Sequence, residues 1–268
     1  KNAPLYVVQV RAMLRKLFKL RDTASKGPEG HFPPGQRGYA IGDIHGRLDL
    51  LEQLIERILA DDASRPAADT MLIFLGDLVD RGPQSAQVID YLRALEARRE
   101  AGRTRFLLGN HEEVFLAAIE DEKSLRFFAR IGGKETILSY GINLEQYNAL
   151  DYAKLHEALR ELVPAEHIAF LSSFEDMILL GDYAFVHAGI RPSEPLERQR
   201  AKDLRWIREE FIEHSGPLEK IVVHGHTITE AVEEKPYRIG LDTGAYGSGK
   251  LTAMGFEGNQ RWVIDTAP

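Results

Sequence analysis

Five short segments of the 268-residue chain combine histidine, aspartate or asparagine with glycine, and these side chains are common metal ligands. In chain order they read GDIHG (42–46), GDLVDRG (76–82), GNHE (109–112), HAG (187–189) and HGHT (224–227). Five of the nine histidines lie in them. Asp43 and His45 can both point into one turn and chelate one ion, and Asp77 is placed to bridge two ions. Together the segments predict a hydrolytic metal centre.

The composition restricts the metal ligands. The chain contains no cysteine, which excludes disulfides and thiolate zinc sites. A metal must therefore be held by imidazole, carboxylate and amide oxygen, a set that permits manganese, iron, zinc, cobalt or nickel.

The charge and hydropathy of the chain exclude other classes of function. A net charge of −7 gives no general attraction to nucleic acid, and we expect no nucleic-acid partner. No apolar run approaches the ~20 residues of a transmembrane helix, and no signal sequence opens the chain. We expect a cytoplasmic protein without a transmembrane segment.

The segments follow elements of an alternating pattern. Strands are predicted at 39–42, 71–76 and 104–109, with amphipathic helices at 48–60 and 84–100. Each strand ends in a polar turn containing glycine, and in open α/β sheets ligands gather at the carboxyl ends of strands. This β-α-β-α-β order brings three segments to one sheet edge.

The remainder of the chain divides into regions of different character. Residues 1–37 predict a basic amphipathic helix followed by a linker rich in glycine and proline, and the main domain is expected to span 38–268. A helical cap is predicted at 111–173, with a helix beginning at Pro164. After it come short strands, expected at 177–180, 183–187, 221–224, 237–241, 251–256 and 261–264, and one helix at 203–213. These strands predict a second, largely antiparallel or mixed sheet packed face to face on the first, with helices outside.

The order and spacing of the five segments resemble the phosphoprotein phosphatase branch of the calcineurin-like metallophosphoesterase superfamily, which includes calcineurin and bacteriophage lambda phosphatase. The resemblance covers residues 38 to about 256. It implies an α/β fold, the calcineurin-like four-layer αββα sandwich with two mixed sheets flanked by helices. Ile228 stands where many other metallophosphoesterases carry a second histidine after Gly225-His226-Thr227. Its presence favours the phosphatase branch over phosphodiesterases and nucleotidases.

The resemblance also implies roles for individual residues. Two divalent metal ions, with manganese as the first choice, are expected on a ligand set of Asp43, His45, Asp77, Asn110, His187 and His226. A hydroxide that bridges the two ions would attack the phosphorus. The expected catalytic residues are His111 as general acid, Asp80 as its orienting carboxylate, Arg81 as the phosphate grip, and Arg208 as a second grip with Arg205 as its competitor. His224 is expected behind the ligands, and His31, His156, His167 and His214 are expected to be exposed or structural.

The substrate remains open at this point. The leading hypothesis is a serine/threonine protein phosphatase acting on a phosphoprotein or a phosphorylated small molecule. The alternative is a symmetrical diadenosine tetraphosphatase, because residues 241–253 resemble both the bacterial enzymes of that kind and bacterial Ser/Thr phosphatases. A non-catalytic phosphate-binding module is a third hypothesis. Tyr246 in this glycine-rich loop could stack on a base, contact a peptide or belong to a hairpin loop without function. The partner of the N-terminal helix is unknown.

Overall fold

The computed structural model describes residues 28–267, and they contain two five-stranded sheets. The first sheet has the order β10-β9-β1-β2-β3. Its strands are β1 (Gln36–Ile41), β2 (Asp69–Phe74), β3 (Thr104–Phe106), β9 (Thr252–Glu257) and β10 (Gln260–Asp265). β1, β2 and β3 are parallel, whereas β9 runs antiparallel to both β1 and β10. The sheet is therefore mixed.

The second sheet has the order β4-β5-β6-β8-β7. Its strands are β4 (Met177–Leu180), β5 (Tyr183–Val186), β6 (Ile221–His224), β7 (Glu233–Lys235) and β8 (Arg238–Gly240). β5, β6 and β8 are parallel, and the two edge strands are antiparallel to their neighbours. The prediction that all later strands join one sheet was wrong for β9 and β10. They return to the first sheet, where β9 is almost entirely buried beside β1.

Successive side chains of each strand point to opposite faces of the sheet, and both faces are buried. In β5, Tyr183 and Phe185 pack into a core between the sheets, while Ala184 and Val186 face a second core with the helices outside. In β1, Ala40 joins the core between the sheets and Tyr39 faces the opposite way. Because side chains alternate with a period of two, a strand buried on both faces is apolar throughout. The result is the predicted four-layer arrangement of two mixed sheets flanked by helices.

The helices lie in three groups. Helices α1 (Leu48–Ala63) and α2 (Ser85–Ala97) cover the outer face of the first sheet. The short helices α9 (Ala201–Trp206) and α10 (Glu209–Ile212) cover the outer face of the second sheet. The predicted cap consists of α3 (Asn110–Glu120), α4 (Glu122–Phe128), a π-helical turn (Ala129–Gly133), α5 (Lys134–Ser139), α6 (Leu144–Ala149), α7 (Tyr152–Leu162) and α8 (Ala165–Ser172). A 3-10 turn spans Leu196–Arg198, and α11 (Ala245–Ser248) precedes β9.

Several element boundaries differ from the prediction. The single helix predicted at 203–213 is two helices, because the backbone of Arg208 lies at φ −132° and ψ −102°, outside the helical region. The predicted strand 104–109 ends at Phe106, and Leu107 continues with an isolated bridge to Glu175. Pro164 does precede a helix, as its N-cap.

The amino-terminal region is described from residue 28 onward, so the predicted basic helix lies outside the described residues. Phe32, within the predicted linker, is buried against Tyr183 and Phe256 in the core between the sheets. Within 28–267, none of the helices combines the length and apolar character of a membrane span.

Candidate active site

The carboxyl ends of five strands meet at one edge of the sandwich and carry the five segments. Asp43 and His45 follow β1, Asp77 follows β2, Asn110 opens α3 beyond β3, His187 follows β5, and His226 follows β6. Each of these six side chains is at most 6% exposed. The structure thus brings together all six residues that were predicted as metal ligands.

Asp77 lies at the centre of this group. Its Oδ2 is 3.6 Å from His45 Nε2, and its Oδ1 is 3.4 Å from His187 Nε2. His187 Nε2 also lies 3.0 Å from Asn110 Oδ1 and 3.2 Å from His226 Nδ1. Two sets of three side chains therefore converge closely enough to hold a cation, and Asp77 belongs to both: His45, Asp77 and His111, and Asp77, His187 and His226.

Asp43 completes the group from the side of β1. Its Oδ2 accepts a hydrogen bond of 2.9 Å from the backbone N–H of His226, and its Oδ1 is buried without a hydrogen-bond partner. Burial, together with the nearby carboxylates of Asp242 and Asp77, raises the pKa of Asp43 well above its usual value. Negative charge is therefore poorly compensated at this point.

Hydrogen bonds behind the histidines set their tautomers. His45 Nδ1 lies 2.7 Å from the carbonyl oxygen of Val79, and His187 Nδ1 lies 2.8 Å from that of Leu75. Because a carbonyl oxygen only accepts, each Nδ1 carries a proton and each ring turns its Nε2 to the cluster. Burial also lowers the pKa of His45 to about 3, so its imidazole is neutral at neutral pH, as a metal ligand must be.

The residues present fit divalent metal ions. The donor atoms are imidazole nitrogens, carboxylates and an amide oxygen, which suit borderline and hard cations. Buried atoms without partners, Asp43 Oδ1 and His226 Nε2, lie within the same group. Such atoms are costly in a buried site unless a ligand satisfies them.

The backbone of the site is strained. Among the described residues, five non-glycine residues have positive φ, and all five lie here: His45 (48°), Asp77 (51°), Asp80 (73°), Arg81 (67°) and His226 (62°). Such conformations are sparsely populated and persist where surrounding contacts impose them.

Glu112 is one source of these contacts. It is fully buried, and its carboxylate accepts from the backbone N–H groups of Asp77 (2.8 Å), Leu78 (2.7 Å), Val79 (3.2 Å) and Gly109 (3.0 Å). It therefore joins the turns that follow β2 and β3. Glu112 has no role in the predicted site. The signal was partial: a glutamate three residues after an N-cap can accept from the N-cap N–H, which is half of a capping box, because Gly109 has no side chain to supply the other half.

His111 and Asp80 form a buried pair. His111 Nδ1 lies 2.6 Å from Asp80 Oδ2, so Nδ1 donates and Nε2 faces the cluster. Burial opposes the charged imidazolium, but the carboxylates of Asp77 and Asp80 outweigh it and hold the pKa of His111 above its usual value. Thr136, from α5 of the cap, donates to Asp80 Oδ1 at 2.6 Å. Thr136 was not predicted.

The predicted phosphate grips differ in their surroundings. Arg81 Nη1 is 3.0 Å from His45 Nε2, and Arg81 Nη2 is 3.0 Å from His111 Nε2, so its guanidinium faces the cluster. Arg208 is exposed, and its Nη1 lies 3.5 Å from the carbonyl oxygen of His226. Arg205 forms ion pairs with Glu113 and Asp176 instead. Arg208 therefore lies at the rim of the site, whereas the guanidinium of Arg205 is already paired with carboxylates of the protein.

Asp242 is a further buried carboxylate, and it is not among the predicted site residues. One of its oxygens accepts from the backbone N–H of Gly244 at 2.9 Å, and the other has no hydrogen-bond partner. Burial raises the pKa of Asp242 above its usual value, and its side chain contacts that of Asp43. No local motif marks an aspartate in the segment after β8 as part of a site built from the ends of other strands.

The chain is similar to known proteins over much of its length. Residues 37–248 match the family described as calcineurin-like phosphoesterase. The symmetrical bis(5'-nucleosyl)-tetraphosphatase of Dechloromonas aromatica is 35% identical over 179 residues, which cover 67% of this chain and 51% of that protein. The chain thus spans about half the length of this relative. The asymmetrical bis(5'-nucleosyl)-tetraphosphatase of Anoxybacillus flavithermus is 25% identical over 234 residues, covering 80% of this chain and 88% of that protein.

Solved structures share the fold. A protein proposed to be a diadenosine tetraphosphatase superposes with a TM-score of 0.58 and 23% identity, over 91% of this chain and 96% of that one. A cold-active protein-tyrosine phosphatase from Shewanella gives a TM-score of 0.52 and 18% identity, over 87% and 83%. At these identities the likeness concerns the fold alone.

Proposed function

The chain belongs to the calcineurin-like phosphoesterase family, and we propose that it is a metal-dependent hydrolase of dinucleoside polyphosphates such as diadenosine tetraphosphate. One observation carries the proposal: the buried cluster around Asp77, with the Arg81 guanidinium 3.0 Å from two of its histidines, lies in a chain whose curated relatives are bis(5'-nucleosyl)-tetraphosphatases. These relatives favour the alternative substrate over the phosphoprotein that led the sequence analysis.

Two divalent ions, with manganese as the first choice, would be held by the six residues predicted as ligands, Asp43, His45, Asp77, Asn110, His187 and His226. When bound, such ions supply Lewis-acid polarisation of phosphoryl oxygens and lower the pKa of a water molecule. The hydrogen bonds at Nδ1 of His45 and His187 support this assignment, because both rings turn Nε2, the nitrogen that would bind a metal, to the cluster.

Arg81 and His111 would act on the substrate itself. A planar guanidinium offers two parallel N–H donors to phosphate oxygens, which a lysine does not reproduce. His111 is held by Asp80 at Nδ1, so its Nε2 is directed towards the cluster. Once the Arg81 guanidinium donates to a phosphate instead of to Nε2, a proton on Nε2 can pass to the departing oxygen. Arg208 at the rim would contact a phosphate further along the chain of the substrate.

The two candidate substrates differ in their leaving groups. A nucleoside diphosphate leaves as a stabilised phosphate anion, so cleavage of an anhydride depends less on the proton from His111 than cleavage of a serine or threonine ester does. Loss of His111 should therefore impair phosphothreonine hydrolysis more than diadenosine tetraphosphate hydrolysis.

The test compares both substrates directly. Protein loaded with Mn²⁺ is incubated with diadenosine tetraphosphate and with a phosphothreonine peptide, and nucleotides and inorganic phosphate are separated and quantified. We expect a higher kcat/KM for the dinucleotide. Two molecules of ADP would indicate symmetrical cleavage, and AMP with ATP asymmetrical cleavage. Preferential release of phosphate from the peptide would instead support the protein phosphatase hypothesis and overturn the proposal.

A further inference from the structure

A groove of about 560 Å³ opens beside the active site, within the range of small-molecule sites. Its walls come from the segment after His226 and from the glycine-rich loop, including Ile228, Gly244, Tyr246, Gly247, Gly249 and Lys250. We call it the Tyr246 groove. None of the residues assigned to metal or to catalysis lines it, so its function needs a separate account.

The Tyr246 groove is continuous with the phosphate-binding residues. The rings of Tyr246 and His45 are perpendicular neighbours, with centroids 5.5 Å apart and an interplanar angle of 88°. The guanidinium carbon of Arg81 lies 4.8 Å from the centroid of the same ring. A ligand whose phosphate contacts Arg81 would therefore place the group attached to that phosphate against Tyr246.

The groove offers apolar and aromatic surface. Ile228 is 48% exposed and Tyr246 is 40% exposed, although both are large apolar side chains. Gly247 and Gly249 also line the groove, and a β-carbon at either would meet no atom within 4 Å. A flat ring system can lie against such a surface without steric conflict.

Four polar side chains of the groove donate to the protein. The hydroxyls of Thr229, Thr243 and Ser248 each donate to a backbone carbonyl oxygen at 2.8 Å, and the ammonium of Lys250 donates to the carbonyl oxygen of Glu230 at 2.6 Å. The Lys250 ammonium keeps two further N–H donors, and the exposed side chain of Glu230 also lines the groove. The exposed ring of Tyr246 supports stacking of a base, and the base preference distinguishes stacking from hydrogen bonds to base edges.

From this arrangement we infer that the Tyr246 groove binds a nucleoside of the substrate, with the base against Tyr246 and Ile228 and the adjacent phosphate at Arg81. The inference rests on the proposed function and deepens it by assigning where the nucleoside lies. Stacking tolerates any base because each has a π face, so purine nucleotides with adenine and guanine should bind with similar affinity.

The experiment measures competition against p-nitrophenyl phosphate, a substrate without a nucleoside. Adenosine 5'-monophosphate, guanosine 5'-monophosphate and methyl phosphate are used as inhibitors of the Mn²⁺-loaded enzyme. Methyl phosphate serves as the internal reference for the phosphate position. We expect both nucleotides to inhibit about tenfold more strongly than methyl phosphate, the gain given by stacking one base on an aromatic ring.

Variants locate the source of this preference. The measured quantity is the inhibition constant of methyl phosphate divided by that of each nucleotide. In Tyr246→Ala this ratio should approach one, and in Ile228→Ala it should fall part of the way. In Tyr246→Phe it should persist because the ring remains. Leu179→Ala is the matched control, since Leu179 is also 48% exposed but lies on strand β4. Because the ratio is taken within each variant, a general loss of activity through His45 or Arg81 does not affect it.

The outcomes separate the two proposals. An unchanged ratio in both Tyr246→Ala and Ile228→Ala would overturn the nucleoside assignment, even in an enzyme that cleaves diadenosine tetraphosphate. A nucleotide preference lost in these variants, in a protein that does not cleave diadenosine tetraphosphate, would support the groove and overturn the proposed function. A strong preference for one purine would overturn the stacking mode.

Discussion

The hydroxyl of Thr136 donates a 2.6 Å hydrogen bond to Oδ1 of Asp80, whose other oxygen holds His111 at 2.6 Å. Thr136 belongs to the cap and Asp80 to the turn after β2, and both are fully buried. The cap also contributes the carbonyl oxygen of Gly132, which accepts from the backbone N–H of Arg81 at 3.0 Å. The cap helices are thus part of the framework that positions the catalytic residues.

Replacing Thr136 by valine should impair catalysis without removing metal. The substitution leaves a carboxylate oxygen of Asp80 buried without a donor, which weakens the charged Asp80–His111 pair. We expect kcat for a poor leaving group, a phosphothreonine peptide, to fall about tenfold, with a smaller loss for p-nitrophenyl phosphate, whose leaving group needs no proton. Thr136→Ser should restore activity because it retains the hydroxyl.

Thr104→Val provides the matched control for this experiment. Thr104 is buried like Thr136, but its hydroxyl has no hydrogen-bond partner. Its replacement should leave both substrates unaffected. Equal losses for the two substrates in Thr136→Val would point to a general structural role and contradict the positioning role of Thr136.

Glu112→Gln should destabilise the protein and weaken metal binding together. A glutamine amide has one acceptor oxygen, and its NH₂ group would face backbone N–H groups that the Glu112 carboxylate now satisfies. When buried N–H donors lose a charged acceptor, the free energy of unfolding falls by about 2–4 kcal/mol. Thermal unfolding and Mn²⁺ titration calorimetry measure the two effects. Glu120→Gln, exposed on the same helix, should leave the Tm unchanged. A stable Glu112→Gln variant with full metal affinity would contradict this account.

The sequence predicted most of the fold and the strand ends at which the candidate ligands lie, because both are encoded locally. Strand periodicity and glycine turns place Asp77 and His187 at strand ends, and parallel strands bring those ends to one edge. The break at Arg208 between α9 and α10 was missed, since the apolar spacing across it remains compatible with one helix. Thr136 and Asp80 are 56 residues apart, so no local pattern shows their contact. Asp242 was missed for the same reason.

Arg208 and Arg205 should behave differently when each is replaced by alanine. Arg208 lies at the rim of the site, whereas Arg205 pairs with Glu113 and Asp176. We expect Arg208→Ala to lower kcat/KM for diadenosine tetraphosphate about tenfold or more, the loss of a charged hydrogen bond, with the Tm unchanged. Arg205→Ala should lower the Tm with a smaller kinetic effect. The reverse pattern would reassign the second phosphate grip to Arg205.

Asp77→Asn and His111→Asn should separate metal binding from proton transfer. Asp77 contacts both convergent groups, so its neutralisation should remove metal and activity together. His111→Asn should retain metal and lose turnover. Metal content after desalting, measured by mass spectrometry, decides the point. His111 Nε2 lies 3.9 Å from Asp77 Oδ2, close enough that loss of one metal equivalent in His111→Asn would make His111 a ligand rather than an acid.

Asp242→Asn should stabilise the metal-free protein while weakening its response to metal. Burial raises the pKa of both Asp43 and Asp242, so these two carboxyl groups bind protons more tightly in the folded metal-free protein than in the unfolded chain. Their contribution to stability should therefore fall as pH rises above about 4, the ordinary pKa of an aspartate. With one carboxylate neutralised, the Tm in the presence of EDTA should rise at pH 7 and vary less with pH. The Tm increase on adding Mn²⁺ should become smaller, because less buried negative charge remains for the cation to compensate. If Mn²⁺ raised the Tm of Asp242→Asn as much as that of the wild type, Asp242 would not contribute to the negative electrostatic potential at the metal site.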